Sequence, residues 1–478
     1  MIDYSKKITL HRELYPLSNI DFSIESDRGR IISAPSLRRL QKKTQVFPLE
    51  LNAAVRSRLT HSLEVAQNAR FIAKTILKKS EGAFGLKELD DAFISTAEMT
   101  SLLHDIGNPP FGHFAEIALN DWMRKQGIKI LDSLVSVSAS NQEFKKLLVQ
   151  DICNFDGNAQ AIRVVTKLQR LNLSYTQIAS ILKYTRAAYE PKANKSDAQS
   201  YLKKKPGYYY SEKQIVEKIC ESLDIKKGCR FPLTYIMEAA DDISYLNADI
   251  EDAVDKGILQ FDDVYNLIKI ECEKMDETYL FELVDKFYKK AKEKEDEPYQ
   301  FNLFLTLTRA SLTHALVNHV SEVYLDNHEA IFNGTFNYAL LEYDKQSKYT
   351  KAVQVLQNIS VKHIYNNKTI QTLELKGYKI LTSLLDSYTP LLQLSSDDFQ
   401  KLVNDEKIDC YISQRLIKRL SSKHIVAYKN SVKDLSLDDD ERFKLEEWYY
   451  RSRLLLDYIT GMTDDFAFDE YKTLSALK

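Results

Sequence analysis

The chain has nine histidines, and three of them, His61, His104 and His113, fall within one 53-residue stretch. His104 is followed by Asp105 at the end of an apolar run, SLLHDIG. An imidazole beside a carboxylate offers two ligands to a divalent ion, and a helix C-terminus adds partial negative charge that favours a cation. The dipeptide has a second reading, a capped and hydrogen-bonded surface pair. His61 lies close to Leu59 and Leu63 on an apolar stripe, where a buried structural histidine is the plainer account. Further along, EAADDISYLNADIED (238–252) sets Asp241 and Asp242 inside an apolar helical pattern. An exposed acidic face explains Asp242, Glu251 and Asp252; it explains Asp241 less well, because Ile236, Ala240 and Tyr245 flank that side. Asp241, Tyr245, Ala248 and Asp249 share one helix face. Neighbouring residues point about 100° apart, so only one of the two adjacent aspartates can face a metal.

Other routes to phosphate chemistry are missing. No Gly-Lys-Ser or Gly-Lys-Thr occurs, there is no GxGxxG and there is no GxSxG. If phosphates are handled here, a metal and basic side chains must do it.

These residues need elements to hold them. Only 13 glycines and 10 prolines occur in 478 residues, which favours long uninterrupted helices. Residues 56–79 have helical spacing, with Leu59, Leu63, Ala66, Ala69, Ile72 and Ile76 on one stripe. A second helix is predicted over 90–106, with Asp91 as N-cap and Gly107 at C′. A tight turn follows over Asn108–Gly112, then a helix from about His113 to Lys125 that stops near Gly127. Residues 189–214 read as a polar loop, Pro232 to Lys256 as a helix, and 335–342 as short strands. The charged stretch AKEKEDEP, ending at Pro298, is the best boundary. The division is then 1–50, 51–298 and 299–478, and the class is all-α.

Composition bounds the rest. Hydrophobic residues make up 44% and charged residues 28%, so a large core is available. A net charge of −2 marks neither a nucleic-acid nor a membrane-surface protein globally, although Arg28, Arg30, Arg38, Arg39, Lys42 and Lys43 form a local basic stretch. The five cysteines, Cys153, Cys220, Cys229, Cys272 and Cys410, form no CxxC and no even framework, which fits a reducing compartment. Met1 to Tyr15 lacks an apolar core segment and no apolar run reaches membrane-spanning length, so a cytoplasmic location is expected.

The order His61, His104-Asp105, Asp241 resembles the H…HD…D signature of the HD-superfamily phosphohydrolases. The strings around it are more specific. RIISAPSLRRLQKKTQVFPLELNAAVRSRLTHSLEVAQNAR, LLHDIGNPPFGHFAEIALNDW, FDGNAQAIR, KKPGYYYSE, FPLTYIMEAADDISYLNADIEDAV and DYITGMTDDFAFDEY are similar to the bacterial deoxyguanosine triphosphate triphosphohydrolases. They extend from about residue 28 to residue 472, and residues 260–450 carry no matching string.

The resemblance implies an all-α fold: an HD-domain helical core with helical insertions and a helical C-terminal region. It implies hydrolysis of dGTP, or of other deoxynucleoside triphosphates, to the deoxynucleoside and inorganic triphosphate. His61, His104, Asp105 and Asp241 would be the ligands of a divalent ion, Mg²⁺ or Mn²⁺, although other transition metals also suit two imidazoles and two carboxylates. His113 and Glu116, three apart at a helix start, would be the acid/base pair; by itself Glu116 is an acid favoured in a first helical turn. Gln45 and Asn158 would lie near the nucleoside, and Lys183, Tyr184, Tyr245 and Asp249 around phosphate and sugar. Read alone, Lys183 is a surface lysine and Tyr245 a core tyrosine. A homo-oligomer is implied, with a hexamer as one candidate, and single-stranded DNA or a nucleotide is a candidate effector. Two rival readings stand: another HD-superfamily nucleotidase or phosphodiesterase, and a regulator that binds single-stranded nucleic acid.

Overall fold

The computed structural model describes residues 2–15, 17–50, 52–81, 87–112 and 114–477. His113 lies outside them. The fold is all-α: about 70% of the residues are helical. Among the described residues the strands are β1 (Arg186–Ala187) and β2 (Pro206–Tyr208), paired in parallel. No strand forms at 335–342; that segment ends in a single 3₁₀ turn at Leu340–Glu342. Conversely, β2 falls inside the segment expected to be loop, where Pro206 and Gly207 keep the chain extended beside β1.

Helix α1 (Ile20–Ile32) precedes the central helices α2 (Arg58–Ser80) and α3 (Asp90–Leu103). α2 begins at Ser57, whose hydroxyl accepts from the Thr60 amide (3.3 Å) while Thr60 Oγ1 accepts from the Ser57 amide (3.0 Å). This reciprocal cap satisfies two donors that a helix start leaves open. Its buried stripe is His61, Val65, Ala69, Ile72, Ala73 and Ile76. Leu63, expected on that stripe, is 55% exposed: the buried face is rotated toward His61. α3 is buried almost all round, as its apolar composition requires, between α2, α1, α6 (Tyr175–Ile181) and α7 (Pro232–Asp255).

α3 ends at Leu103, and its N-cap is Leu89, not Asp91. Gly107 is not a left-handed C′ residue either. Its hydrogen faces the backbone of α5 (Gly157–Arg163), and a Cβ there would sit 2.1 Å from the Gly157 carbonyl oxygen. The chain turns later, where Phe111 and Gly112 take left-handed conformations (φ 66° and 77°). α4 (Phe114–Trp122) follows, and it does not stop at Gly127. It runs through a π turn at Met123–Gly127 into Ile128–Leu134.

Two apolar cores result. The first surrounds α2, α3, α6, α7, α8 (Glu297–Asp326) and α9 (Lys348–Ile359). Pro298 stands in the first turn of α8, which packs against α2 and α7. The second core joins α4 to α10 (Lys368–Leu392) and α11 (Asp440–Thr460). The turn after Asp105 bridges the two: Ile106 belongs to the first core and Phe111 to the second. The start of α12 (Asp464–Leu474) braces this turn, because Asp464 accepts from the Thr44 amide (3.1 Å) and the Phe111 amide (3.0 Å). Lys43 Nζ donates to the Asn108 (2.5 Å) and Thr460 (2.7 Å) carbonyls.

Candidate metal centre

Three elements bring the four expected ligands together: α2 carries His61, the end of α3 carries His104 and Asp105, and the middle of α7 carries Asp241. Ligand atoms of His61, His104 and Asp105 lie within 4.8 Å of one another. Asp241 Oδ1 is 3.1 Å from His61 Nε2 and 3.5 Å from His104 Nε2, and Asp105 Oδ1 is 3.6 Å from His104 Nε2. The two imidazoles meet edge to face, 5.4 Å between centroids.

His104 tests whether these groups suit a cation. Its Nδ1 lies 2.6 Å from the Ser101 carbonyl, which can only accept, so Nδ1 carries the proton. Nε2 then points toward two carboxylates. A positive charge between them resolves that contact, and the donor set of two nitrogens and two oxygens suits a divalent metal. Hydrogen bonding of the far nitrogen to a carbonyl is the usual way to orient a metal-bound histidine.

The surroundings hold both carboxylates ionised. Burial pushes Asp105 up, but Arg58, then His104 and His61, more than offset it and hold it well below the usual carboxylate range. The Arg58 guanidinium, 1% exposed, donates to Asp105 Oδ2 at 2.6 Å, and Asn108 donates to Oδ1. Asp241 behaves alike: burial opposes, but His104, the His61 hydrogen bond and Lys183 hold it down. Burial alone would lower His61, yet the Asp241 hydrogen bond and the charges of Asp241, Asp105 and Asp249 raise it.

Asp242 differs from its neighbour. Burial, only partly offset by Lys183 and joined by the like charges of Glu238 and Asp241, drives it well above the carboxylate range. The two adjacent aspartates of α7 thus point apart, as helix geometry requires, and their titration is pushed in opposite directions.

Lys183 is no surface lysine. Its Nζ sits 3.5 Å from Asp241 Oδ2 and 3.9 Å from Glu238 Oε1. Glu238 is in turn bound by Arg230 (2.6 Å) and Tyr201 (2.8 Å). Tyr184 is buried beside this cluster, with Lys204 over its ring at 5.6 Å. One and two turns beyond Asp241, Tyr245 accepts from Gln357 (2.6 Å), and Asp249 accepts from the Tyr365 hydroxyl. Burial raises Asp249 to about 6.

Glu116 heads a neighbouring cluster. It accepts from the Gly157 amide (2.8 Å), while Asp156 binds the Asn158 amide and side chain (2.9 and 2.8 Å) and pairs with Lys205 (3.6 Å). Burial, with the charge of Asp156, raises Glu116 to about 7, in the range useful to a general acid or base. Gln45 is half-buried, and its Oε1 has no partner among the described residues; no hydrogen bond among those residues joins it to the quartet.

Motif and spacing do not single out Arg58 and Glu238, although each stands three residues before an expected ligand on the same helix and so shares its face. Gln357 and Tyr365 come from the region without matching strings and carry no local signal. Two surface cavities, of about 1090 and 350 Å³, lie elsewhere, and none of the expected site residues lines them. No helix is long and apolar enough to cross a membrane among the described residues.

A comparison with protein-family models matches residues 58–182 to the HD domain. The match begins at Arg58, takes in His61, His104, Asp105, Glu116 and Asn158, and stops one residue short of Lys183. It leaves Asp241, Tyr245 and Asp249 to the later helix α7. With both imidazoles and the first carboxylate inside the matched segment and converging on one point, the chain carries an HD domain, and that domain points to a metal-dependent phosphohydrolase.

Proposed function

We propose that the chain is a triphosphohydrolase that converts dGTP, or other deoxynucleoside triphosphates, to the deoxynucleoside and inorganic triphosphate. The observation that carries this reading is a single face of α7. Asp241 stands against the imidazoles and Lys183, with Tyr245 and Asp249 following at one-turn intervals. A phosphate held at the quartet therefore sets its sugar beside Tyr245.

His61, His104, Asp105 and Asp241 would hold a divalent cation, which supplies Lewis acidity toward a phosphoryl oxygen. Lys183 offsets charge on the α-phosphate. A water oxygen bonds to the α-phosphorus as the bond to the 5′-oxygen breaks; the 5′-oxygen leaves with a proton and triphosphate departs whole. His113 with Glu116 moves the protons, since a carboxyl near 7 can both give and take one at neutral pH. The Tyr245 ring packs where a 2′-hydroxyl would project, and Asp249 offers a carboxylate oxygen to a sugar hydroxyl. Gln45 and Asn158 line the nucleoside side, and Tyr184 stands with Lys183 around phosphate and sugar. In this reading residues 1–50 supply Gln45, 51–298 the quartet, and 299–478 complete the site through Gln357 and Tyr365.

The test is to incubate the purified protein with each deoxynucleoside triphosphate plus Mg²⁺ or Mn²⁺ and identify the phosphorus product. Inorganic triphosphate is the expected result. Orthophosphate or pyrophosphate would place the chain among other nucleotidases and overturn the reading. A homo-oligomer in the cytoplasm, answering to single-stranded DNA or a nucleotide, belongs to the same proposal; light scattering with and without these effectors tests the assembly.

A further inference from the structure

The smaller cavity, about 350 Å³, lies behind the turn that follows the His104-Asp105 pair. Ile106 and Gly107 form part of its wall, together with the 35–43 segment, α5, residues 421–424 and the α11–α12 junction. None of the four metal-site residues, nor Lys183, lines it.

Its wall is cationic. Arg39 and Lys423 line it, and the one acid, Asp457, is already taken by Arg163 (2.8 Å) and Gln160 (2.9 Å). No carboxylate binds the half-buried Arg39 guanidinium among the described residues. Its wall is also short of partners. Ser36 and Gln160 are 3% and 2% exposed, and Ser36 Oγ and Gln160 Oε1 have no hydrogen-bond partner among the described residues. The same holds for Gln169 Oε1 and His424 Nδ1. Buried polar atoms left unpaired are costly and uncommon, and four of them belong to residues that line this one cavity.

The chemistry of a guest there follows from the donors and acceptors. Arg39 and Lys423 present positive charge for an oxyanion, and a guanidinium suits phosphate geometry. Gln160 and Gln169 have amide oxygens to spare, which need donors such as hydroxyls. The volume lies at the low end for small-molecule sites. We propose that this cavity is a second ligand site, separate from the metal centre, for a small phosphate monoester bearing hydroxyl donors. A sugar phosphate and a nucleoside monophosphate share that chemistry.

The test is calorimetric titration of the full-length protein with ribose 5-phosphate, deoxyguanosine 5′-monophosphate and unphosphorylated ribose. It is run on the wild type and on Arg39→Gln, Lys423→Gln and Asp241→Asn. At least one phosphate ester should bind the wild type and Asp241→Asn equally, while ribose does not bind. Arg39→Gln should weaken that binding about tenfold or more, the usual loss for one charge-assisted hydrogen bond. Lys423 is exposed, so Lys423→Gln should fold normally and show a smaller loss in the same direction; it decides the matter if Arg39→Gln does not fold. Tighter binding of one ester than the other names the source. The proposal fails if neither ester binds the wild type, if both cavity substitutions leave binding unchanged, or if Asp241→Asn abolishes it.

Discussion

Glu116→Gln should make the protein more stable and less active at the same time. The ordinary glutamate value is 4.5, and in the fold the group is raised to about 7, first by burial and then by Asp156. The folded protein therefore holds this proton more tightly than the unfolded chain. Between those two values folding takes up a proton, so stability falls as pH rises. The penalty is absent below 4.5 and complete above about 7. At about 1.4 kcal/mol per pH unit its upper bound is about 3.5 kcal/mol, and the partial exposure of the side chain reduces this to about 1–3 kcal/mol. Glutamine keeps an oxygen for the Gly157 amide and turns an N–H₂ toward Asp156, so the substitution removes the charge without orphaning a donor. Urea denaturation across the pH range is the assay. The variant should exceed wild type by about 1–3 kcal/mol near pH 8 and match it near pH 4.5. Turnover should fall about a hundredfold, the usual size of a general acid/base contribution. A gain of the same size at both ends of the range, or no gain near pH 8, would refute the argument.

Asp241→Asn should lose both bound metal and turnover, whereas Asp242→Asn should keep the metal and most activity because its side chain points away from the imidazoles and its carboxyl is already pushed toward the protonated form; metal analysis of both variants decides, and equal damage would undo the distinction. Arg58→Met strands the buried Asp105 carboxylate and should cost about 3–5 kcal/mol without metal. That deficit should shrink when Mn²⁺ is added and pairs the stranded charge, as urea curves with and without the ion will show. Gly107→Ala drives a methyl to 2.1 Å from the Gly157 carbonyl oxygen and should cost at least about 3 kcal/mol, measured by thermal unfolding or by loss of soluble protein. Tyr245→Ala should narrow the preference for dGTP over GTP by about 10- to 200-fold, read as the ratio of kcat/KM values; an unchanged ratio would move sugar discrimination elsewhere.

The helical class and the order of the metal-site residues are legible in the residues themselves. Long helices follow from scarce glycine and proline, and helical spacing alone puts Asp241, Tyr245 and Asp249 on one face. The same periodicity misplaces details that neighbours decide. Leu63 fits the stripe of α2 but faces outward, because the helix rotates to bury His61 and Arg58. Gly107 has the spacing of a helix cap, yet it is required by the close approach of α5, a contact about fifty residues away in sequence. Gly127 looks like a stop, but packing on the second core carries the helix past it as a π turn. Charge states lie further still beyond the sequence. Asp241 and Asp242 are chemically identical neighbours, yet burial with the like charges of Glu238 and Asp241 raises Asp242, while the imidazoles and Lys183 hold Asp241 down. Gln357 and Tyr365 reach Tyr245 and Asp249 from more than a hundred residues downstream. No local pattern encodes such a meeting, because it is set by how α7, α9 and the turn after α9 pack in three dimensions.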